Sequence, residues 1–239
     1  MANFALKKED STISLESEFK LIADEISNLF EKNGQPIRPY RDPRLIYYSQ
    51  LDKARQQSSL HRLKIFLSSI TSTLDAGDQL SNNSRALWHA IGTLGFRPDS
   101  EVFSKLQDDD VIEVYDSQGT QIWRNFNYMK ICSYSLEEII CHDWPTLYRR
   151  DPKITELLIQ VMIETLSGQQ YGPRFIDVDF HMVAESFSES QFQLHVRHDY
   201  ICPLLGPTKS CDGFVITSKV KILRKTDEAR ATLPDLQLV

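Results

Sequence analysis

Asp110 to Trp123 reads DVIEVYDSQGTQIW, and the fold turns on this stretch. Apolar and polar residues alternate on both sides of a break at Ser117, Gln118 and Gly119, which predicts a strand, a tight turn and a second strand. Further along, Ser135 and Glu138 have the spacing of a capping box, and Asp151 followed by Pro152 is a helix start. The helix from Pro152 to about Leu166 turns Ile154, Leu157 or Leu158, Val161 and Thr165 to one side, and Gly168 ends it. Three strands are expected after it. In the first, Ile176, Val178, Phe180, Met182 and Ala184 alternate with Asp177, Asp179, His181 and Glu185. Phe192, Leu194 and Val196 carry the second. Gly213 to Leu223 makes the third, with Phe214, Ile216, Val220 and Ile222 inward and Lys219 and Lys221 outward.

Upstream of Asp108 the period is that of helices. Leu15, Phe19, Ile22, Ile26 and Leu29 or Phe30 recur at three- and four-residue steps between a capping Ser14 and a terminating Gly34. A linker from Pro36 to Pro43 follows, then a weaker helix over Leu45 to Ala54. Leu60, Leu63, Phe66 or Leu67, Ile70 and Leu74 predict a further helix ending at Gly77. Ser84 opens a short one with Leu87, Trp88, Ile91 and Leu94 on one face, and Asp99 or Ser100 opens another ending near Leu106. The fold class is therefore α+β: a helical N-terminal region, then a five-stranded antiparallel sheet with short helices on one face. The expected divisions are a flexible 1–13, a helical 14–107, a sheet-containing 108–223 and a tail over 224–239.

The 239 residues suffice for one large domain or two small ones, and 41% hydrophobic with 25% charged residues is ordinary globular composition. The net charge of −6 arises from interspersed acidic and basic residues. No basic stripe exists to neutralise a phosphate backbone, so direct nucleic-acid binding is not expected. No run of about 18 apolar residues suggests a membrane span, and the first ten residues have neither a signal-peptide core nor a lipidation motif. The expected location is cytoplasmic, with Cys132, Cys141, Cys202 and Cys211 as thiols.

A hairpin, short helices, one longer helix and three antiparallel strands is the element order of the PAS fold, and the residues over 108–223 resemble that family. Val114 to Gly119 resembles its D-x-x-G hairpin turn. Arg124 and Asn125 resemble the residues leaving its second strand, and SYSLEEII at 133–140 resembles its G-y-s-x-e-E-l helix. Ser133 stands where many members have Gly, and Lys221-Ile222-Leu223 replaces their Asp-Ile-Thr. The resemblance implies a non-enzymatic sensory or regulatory domain. Such a domain binds a small molecule or a protein partner and signals through flanking helices, here as a homodimer or through a separate output protein. The stripe of Leu15, Phe19, Ile22, Ile26 and Leu29 must bury against something, either its own chain or a second copy. Ligand-binding members hold their ligand between helices and sheet, which in this chain brings forward Trp123, Phe126, Tyr134, Trp144, Tyr148, Phe180, Leu194 and Ile216. The alternative is a solid core. No specific cofactor is indicated.

Other chemistries have weaker signals. His195, His198, Cys202 and Cys211 are zinc-ligand types, the basis of an alternative reading as a metal-dependent enzyme or zinc-stabilised binding protein. Their spacing fits no standard zinc pattern, and two His three apart on a strand face opposite ways. Asp177, Asp179 and His181 share a strand face, where pairing with Arg197 or Lys219 is the ordinary use. Cys141 beside His142 suggests an activated thiol, although neighbours in a helix point apart. Arg149 and Arg150 sit next to the start of the Asp151 helix, where an anion or a partner's carboxylates would pair with them, and solvation is the ordinary state of such a pair. No G-x-S-x-G, Walker loop, dinucleotide-binding fingerprint or H-E-x-x-H is present.

Overall fold

The computed structural model describes residues 13–168, 172–187 and 191–224. Helix α1 (Leu15–Lys32) starts where Ser14 accepts a hydrogen bond from the Ser17 amide at 3.2 Å, and it ends where Gly34 takes a φ of +80°. That left-handed residue lets the Gln35 amide turn back onto the Phe30 carbonyl, the exit only glycine makes without strain. The weaker helix expected over Leu45 to Ala54 does not form. Leu45 sits at φ +54°, Tyr48–Gln50 make a single 3-10 turn, and Asp52 caps the next helix by accepting from the Arg55 amide. A good cap at Asp52 forces the chain before it out of helical geometry. Helices α2 (Lys53–Asp75) and α3 (Asn83–Thr93) follow, then strand β1 (Arg97–Pro98) and helix α4 (Ser100–Lys105). On α3 the expected packing face holds for Leu87 and Ile91, but Trp88 is 56% exposed.

The hairpin forms as read, with β2 (Val111–Asp116) and β3 (Gln121–Arg124). Asp116 accepts from the Gln118 and Thr120 amides, and Gly119 has φ +72°. Then come α5 (Phe126–Ile131), α6 (Leu136–Cys141), α7 (Trp144–Leu147), β4 (Tyr148–Arg149) and α8 (Pro152–Leu166). Ser135 and Glu138 form the capping box, and Asp151 caps α8 with Pro152 in its first turn. The remaining strands are β5 (Arg174–Phe175), β6 (His181–Glu185), β7 (Gln193–Leu205) and β8 (Cys211–Arg224).

Among the described residues one antiparallel sheet runs β3-β2-β8-β7-β6-β4, with β1 and β5 also pairing on β7. The hairpin and the last three strands are the five expected, in PAS-like element order, and three two-residue strands extend them. The alternation expected across 176–185 is broken. Ile176 and Val178 are buried below α8, yet in β6 it is Val183 that is buried while Met182 is exposed. The cause is the segment between β5 and β6, where Val178 donates to the Ile176 carbonyl instead of a neighbouring strand, so the inward phase changes.

The sheet is covered on both faces. On one, α8 buries Leu158, Val161 and Met162 against Tyr115, Ile201, Phe214 and Ile216. On the other, Phe19, Ile26, Phe30, Leu63, Phe66 and Ile70 of α1 and α2 form one core with Ile112, Val114, Ile122, Trp123 and Val215. Polar knots hold this second layer. Asn125 accepts from the Ile112 and Tyr128 amides and donates to Asn83, which reaches back to the Gln107 carbonyl. The fully buried Glu137 accepts from the amides of both Tyr47 and Tyr48, fastening the loop before α2 onto α6. Strand β2 thus sends Ile112 and Val114 to the helices, and Glu113 and Tyr115 to the opposite face.

The α1 stripe is consumed within the chain. Phe19 and Ile26 are fully buried, and Leu15, Ile22 and Leu29 pack against the same core.

Candidate ligand cavity

Between the inner face of the sheet and the cover made by α5, α7, β4 and α8 lies a cavity of about 50 Å³. Its floor comes from alternate positions of three strands: Glu113 and Tyr115, then Leu194, Val196 and His198, then Ile216, Ser218 and Val220. Its cover comes from Tyr128, Trp144, Leu147, Tyr148, Arg150, Leu158 and Met162. Half of this wall is aliphatic. The other half is an unusual concentration of buried polar groups.

Glu113 accepts from the side chains of Gln121 and Tyr115, and burial raises its carboxyl above the ordinary range although Arg124 and Arg150 oppose this. Arg124 donates to Gln121 and to the Ile139 carbonyl and lies 5.2 Å from the centre of the Tyr128 ring. His198 is paired on one side only. Its Nδ1 meets Ser218 Oγ at 2.8 Å, while Nε2 is buried without a partner. Arg150 stands 5.3 Å above the Trp144 ring with its Nε buried and unpaired, and among the described residues it makes no ion pair or hydrogen bond. The Tyr128 and Tyr148 hydroxyls approach one another without a well-aligned hydrogen bond to anything, and burial raises both phenols. Glu185, the other carboxylate near Tyr148, is occupied by the amide and hydroxyl of Ser133, both at 2.6 Å, and by the Phe192 amide. Buried polar atoms without partners are costly and uncommon. Four such atoms, in Tyr128, Tyr148, Arg150 and His198, belong to residues that line this one space.

Trp144 and Gln121 also line a surface groove of about 230 Å³ with Arg62, Thr120, His142 and Asp143. They stand between the groove and the cavity.

The cavity makes one prediction independent of any ligand. Burial, with smaller contributions from Arg150 and His181, holds His198 down from 6.5 to about 3. The unfolded chain then binds a proton that the folded chain refuses as pH falls from about 6.5 toward about 3, so stability drops through that window. The slope from one such group is roughly 1.4 kcal/mol per pH unit. Glu113, raised on folding, acts in the opposite sense: its contribution is present below its unfolded value and is lost as pH rises through the folded one. Urea midpoints measured between pH 7 and pH 4 are expected to fall less steeply in His198→Gln than in the parent. Parallel curves would show that His198 is not held neutral.

Of the aromatic and aliphatic residues expected around a ligand, the structure brings Trp144, Tyr148, Leu194 and Ile216 to this wall. Trp123 and Phe126 lie on the helical side: Trp123 Nε1 donates to Ser69 Oγ, and Phe126 stacks on Phe30 at 5.5 Å. Tyr134 is buried beside the wall, its hydroxyl donating to the Leu147 carbonyl and its ring edge-on to Tyr148. Phe180 lies outside, stacked on His195 below Arg197 and Lys221. The residues that sequence reading did not place here are Glu113, His198 and Ser218. Their signal is parity: each shares a strand face or helix side with the apolar lining, but polar side chains on such a face read as its wet side. Arg150 was singled out beside Arg149, and the two diverge, Arg150 to the cavity wall and Arg149 to the exposed surface.

The metal alternative fares otherwise. His195 and His198 face opposite ways, Cys202 donates to the Pro203 carbonyl and Cys211 to that of Gly213. Among the described residues no group of three or more His, Cys, Asp or Glu could hold a metal ion. Asp177 and Asp179 are exposed, and His181 Nδ1 meets the Asp179 carbonyl. Burial, then Glu137, pushes the Cys141 thiol up, and the His142 ring meets the Glu138 carbonyl, so the pair is not an activated thiol. Burial likewise lifts the Cys202 thiol to about 12.

No protein-family model matches the chain, and no curated protein matches it. Solved structures similar to it include the PAS domain of a protein from Colwellia psychrerythraea, at 20% identity and a TM-score of 0.35, covering 48% of this chain and 88% of that one. A sensory box sensor histidine kinase from Vibrio cholerae matches at 12% identity and a TM-score of 0.33, covering 58% and 98%. A light-oxygen-voltage domain studied with a flavin analogue matches at 14% identity and a TM-score of 0.34, covering 56% and 91%. Among the described residues no helix is long and apolar enough to cross a membrane.

Proposed function

We propose that this protein is a sensory or regulatory module without chemistry of its own, which takes a small molecule into the cavity between the sheet and α5–α8. One observation carries the reading: buried polar atoms of Arg150 and His198 lack partners, the Tyr128 and Tyr148 hydroxyls meet only one another, and all four residues line a single space. A volume of about 50 Å³ is far below the roughly 300–1,000 Å³ of sites for drug-sized ligands and large cofactors, so the ligand is a compact one.

The signal leaves through the sheet. Strand β2 presents Glu113 and Tyr115 to the cavity and Ile112 and Val114 to the helical core, and β8 divides Ile216 and Val215 in the same way. A ligand that shifts these strands therefore changes how α1 and α2 are held. Because the α1 stripe lies within the chain's own core, a dimer through that stripe requires it to unpack. The reading accordingly routes output to a separate partner protein in the cytoplasm.

Methyl NMR of the full chain against a library of compact polar compounds tests this. The expected result is at least one compound that shifts Leu194 and Val196 together with Leu63 and Ile70 across the sheet. A library without hits would overturn the ligand reading. Hits confined to the cavity methyls would overturn the signalling route.

A further inference from the structure

We infer that the cavity selects a small carboxylate with a short aliphatic tail, an assignment that rests on the ligand-binding reading and adds the ligand's charge and shape. The charged groups that line the cavity are Arg150 and Glu113. Glu113 accepts hydrogen bonds from Gln121 and Tyr115, and burial raises its carboxyl, which weakens it as a counter-charge to Arg150. Arg150 itself makes no hydrogen bond or ion pair among the described residues and keeps a buried, unpaired Nε. A partly buried cation with no hydrogen-bonded counter-charge favours an anion brought from outside.

Of the acceptors on the wall, Glu113 Oε1 takes the Gln121 and Tyr115 protons and Gln121 Oε1 takes the Arg124 proton. The groups left over that donate or can donate are Arg150 Nε, His198 Nε2 and the Tyr128 and Tyr148 hydroxyls, which otherwise meet only one another. His198 is neutral, and when Ser218 donates to Nδ1 the ring proton of this cavity-lining side chain sits on Nε2. A ligand that satisfies this wall must therefore accept several hydrogen bonds through a small group. A carboxylate does so with two oxygens and about four lone-pair sites, and a guanidinium is its matched donor.

A space of about 50 Å³ equals about three to five waters at about 10–15 Å³ each, which leaves room beyond the carboxylate for only a few carbons. Val183, Leu194 and Val196 supply the apolar surface for them.

The experiment titrates the full chain with propionate, butyrate and lactate, and with propionamide as the neutral isostere, following the Leu194 and Val196 methyls. The acids are expected to saturate these shifts. Propionamide is expected to bind at least about tenfold more weakly, because a hydrogen bond to a charged group is worth more than one between neutral groups. Arg150→Gln is expected to weaken propionate by about tenfold or more, and Arg150→Lys to recover part of the loss. Equal binding of acid and amide, unchanged in Arg150→Gln, would overturn the carboxylate assignment while leaving a ligand cavity in place. Failure of every acid to shift the cavity methyls, when other compounds of the screening library do shift them, would overturn it as well.

Discussion

Trp123→Ala is expected to destabilise the folded chain by about 3–5 kcal/mol, the range for deleting a large buried aromatic ring. Trp123 is 4% exposed on β3 and packs into the core shared by the sheet and the α1–α3 layer. Its indole N–H donates to Ser69 Oγ at 2.9 Å, and Ser69, on α2, donates in turn to the Phe66 carbonyl. Truncation removes the ring from between two layers that cannot easily collapse, because α2 is fixed at its other contacts by Phe30 and Phe66. Ser69→Ala keeps the ring and strands only the indole proton, so its cost is expected near 1–2 kcal/mol by the usual penalty for a buried unpaired donor, about 1–3 kcal/mol. Urea denaturation of the three proteins checks the order. A loss below about 1 kcal/mol in Trp123→Ala would show that the two layers are not packed as described.

The fragment 108–224 is expected not to fold by itself. Cut free of α1–α4, it would expose Ile112, Val114, Ile122, Trp123 and Val215 as one apolar face, all buried in the full chain. Contiguous apolar patches above a few hundred Å² are rare on soluble monomers and lead to association or loss of packing. The same cut removes Asn83 from Asn125, and Tyr47 and Tyr48 from Glu137, leaving buried polar groups unpaired at the start of α5 and along α6. The fragment should bind a hydrophobic dye and give a poorly dispersed amide spectrum, while the full chain unfolds in one cooperative transition. A monomeric 108–224 with dispersed resonances and its own sigmoidal transition would establish it as an autonomous domain. The line at 107/108 would then divide folding units and not merely element types.

Apart from the helix expected over Leu45 to Ala54, the amino-acid sequence by itself determined the main local elements, because they were written in residues that act within one turn or one strand. Ser14, Gly34, Ser135 with Glu138, Asp151 with Pro152, and Gly119 set helix ends and the hairpin turn by bonds spanning two to five positions. Their order along the chain was enough to suggest the PAS-like arrangement of the C-terminal half. What only the tertiary structure decided was which face each element spends on which neighbour. The α1 stripe looked equally suited to a second copy or to its own chain, since an amphipathic period records that a face is buried and not against what. Trp123 and Phe126 have the composition of a ligand wall, and they went to the other side of the sheet because β3 turns Trp123, and the start of α5 turns Phe126, toward α1 and α2. The cavity was hardest to read for the same reason. Glu113 alternates with Ile112 and Val114 as a residue of a wet face would, His198 and Ser218 stand among polar neighbours, and only the closure of α5, α7 and α8 over their face takes them out of water. Burial is what raises the Glu113 carboxyl and holds His198 neutral, and burial is a property of the packed layers, contributed by residues far apart in the chain.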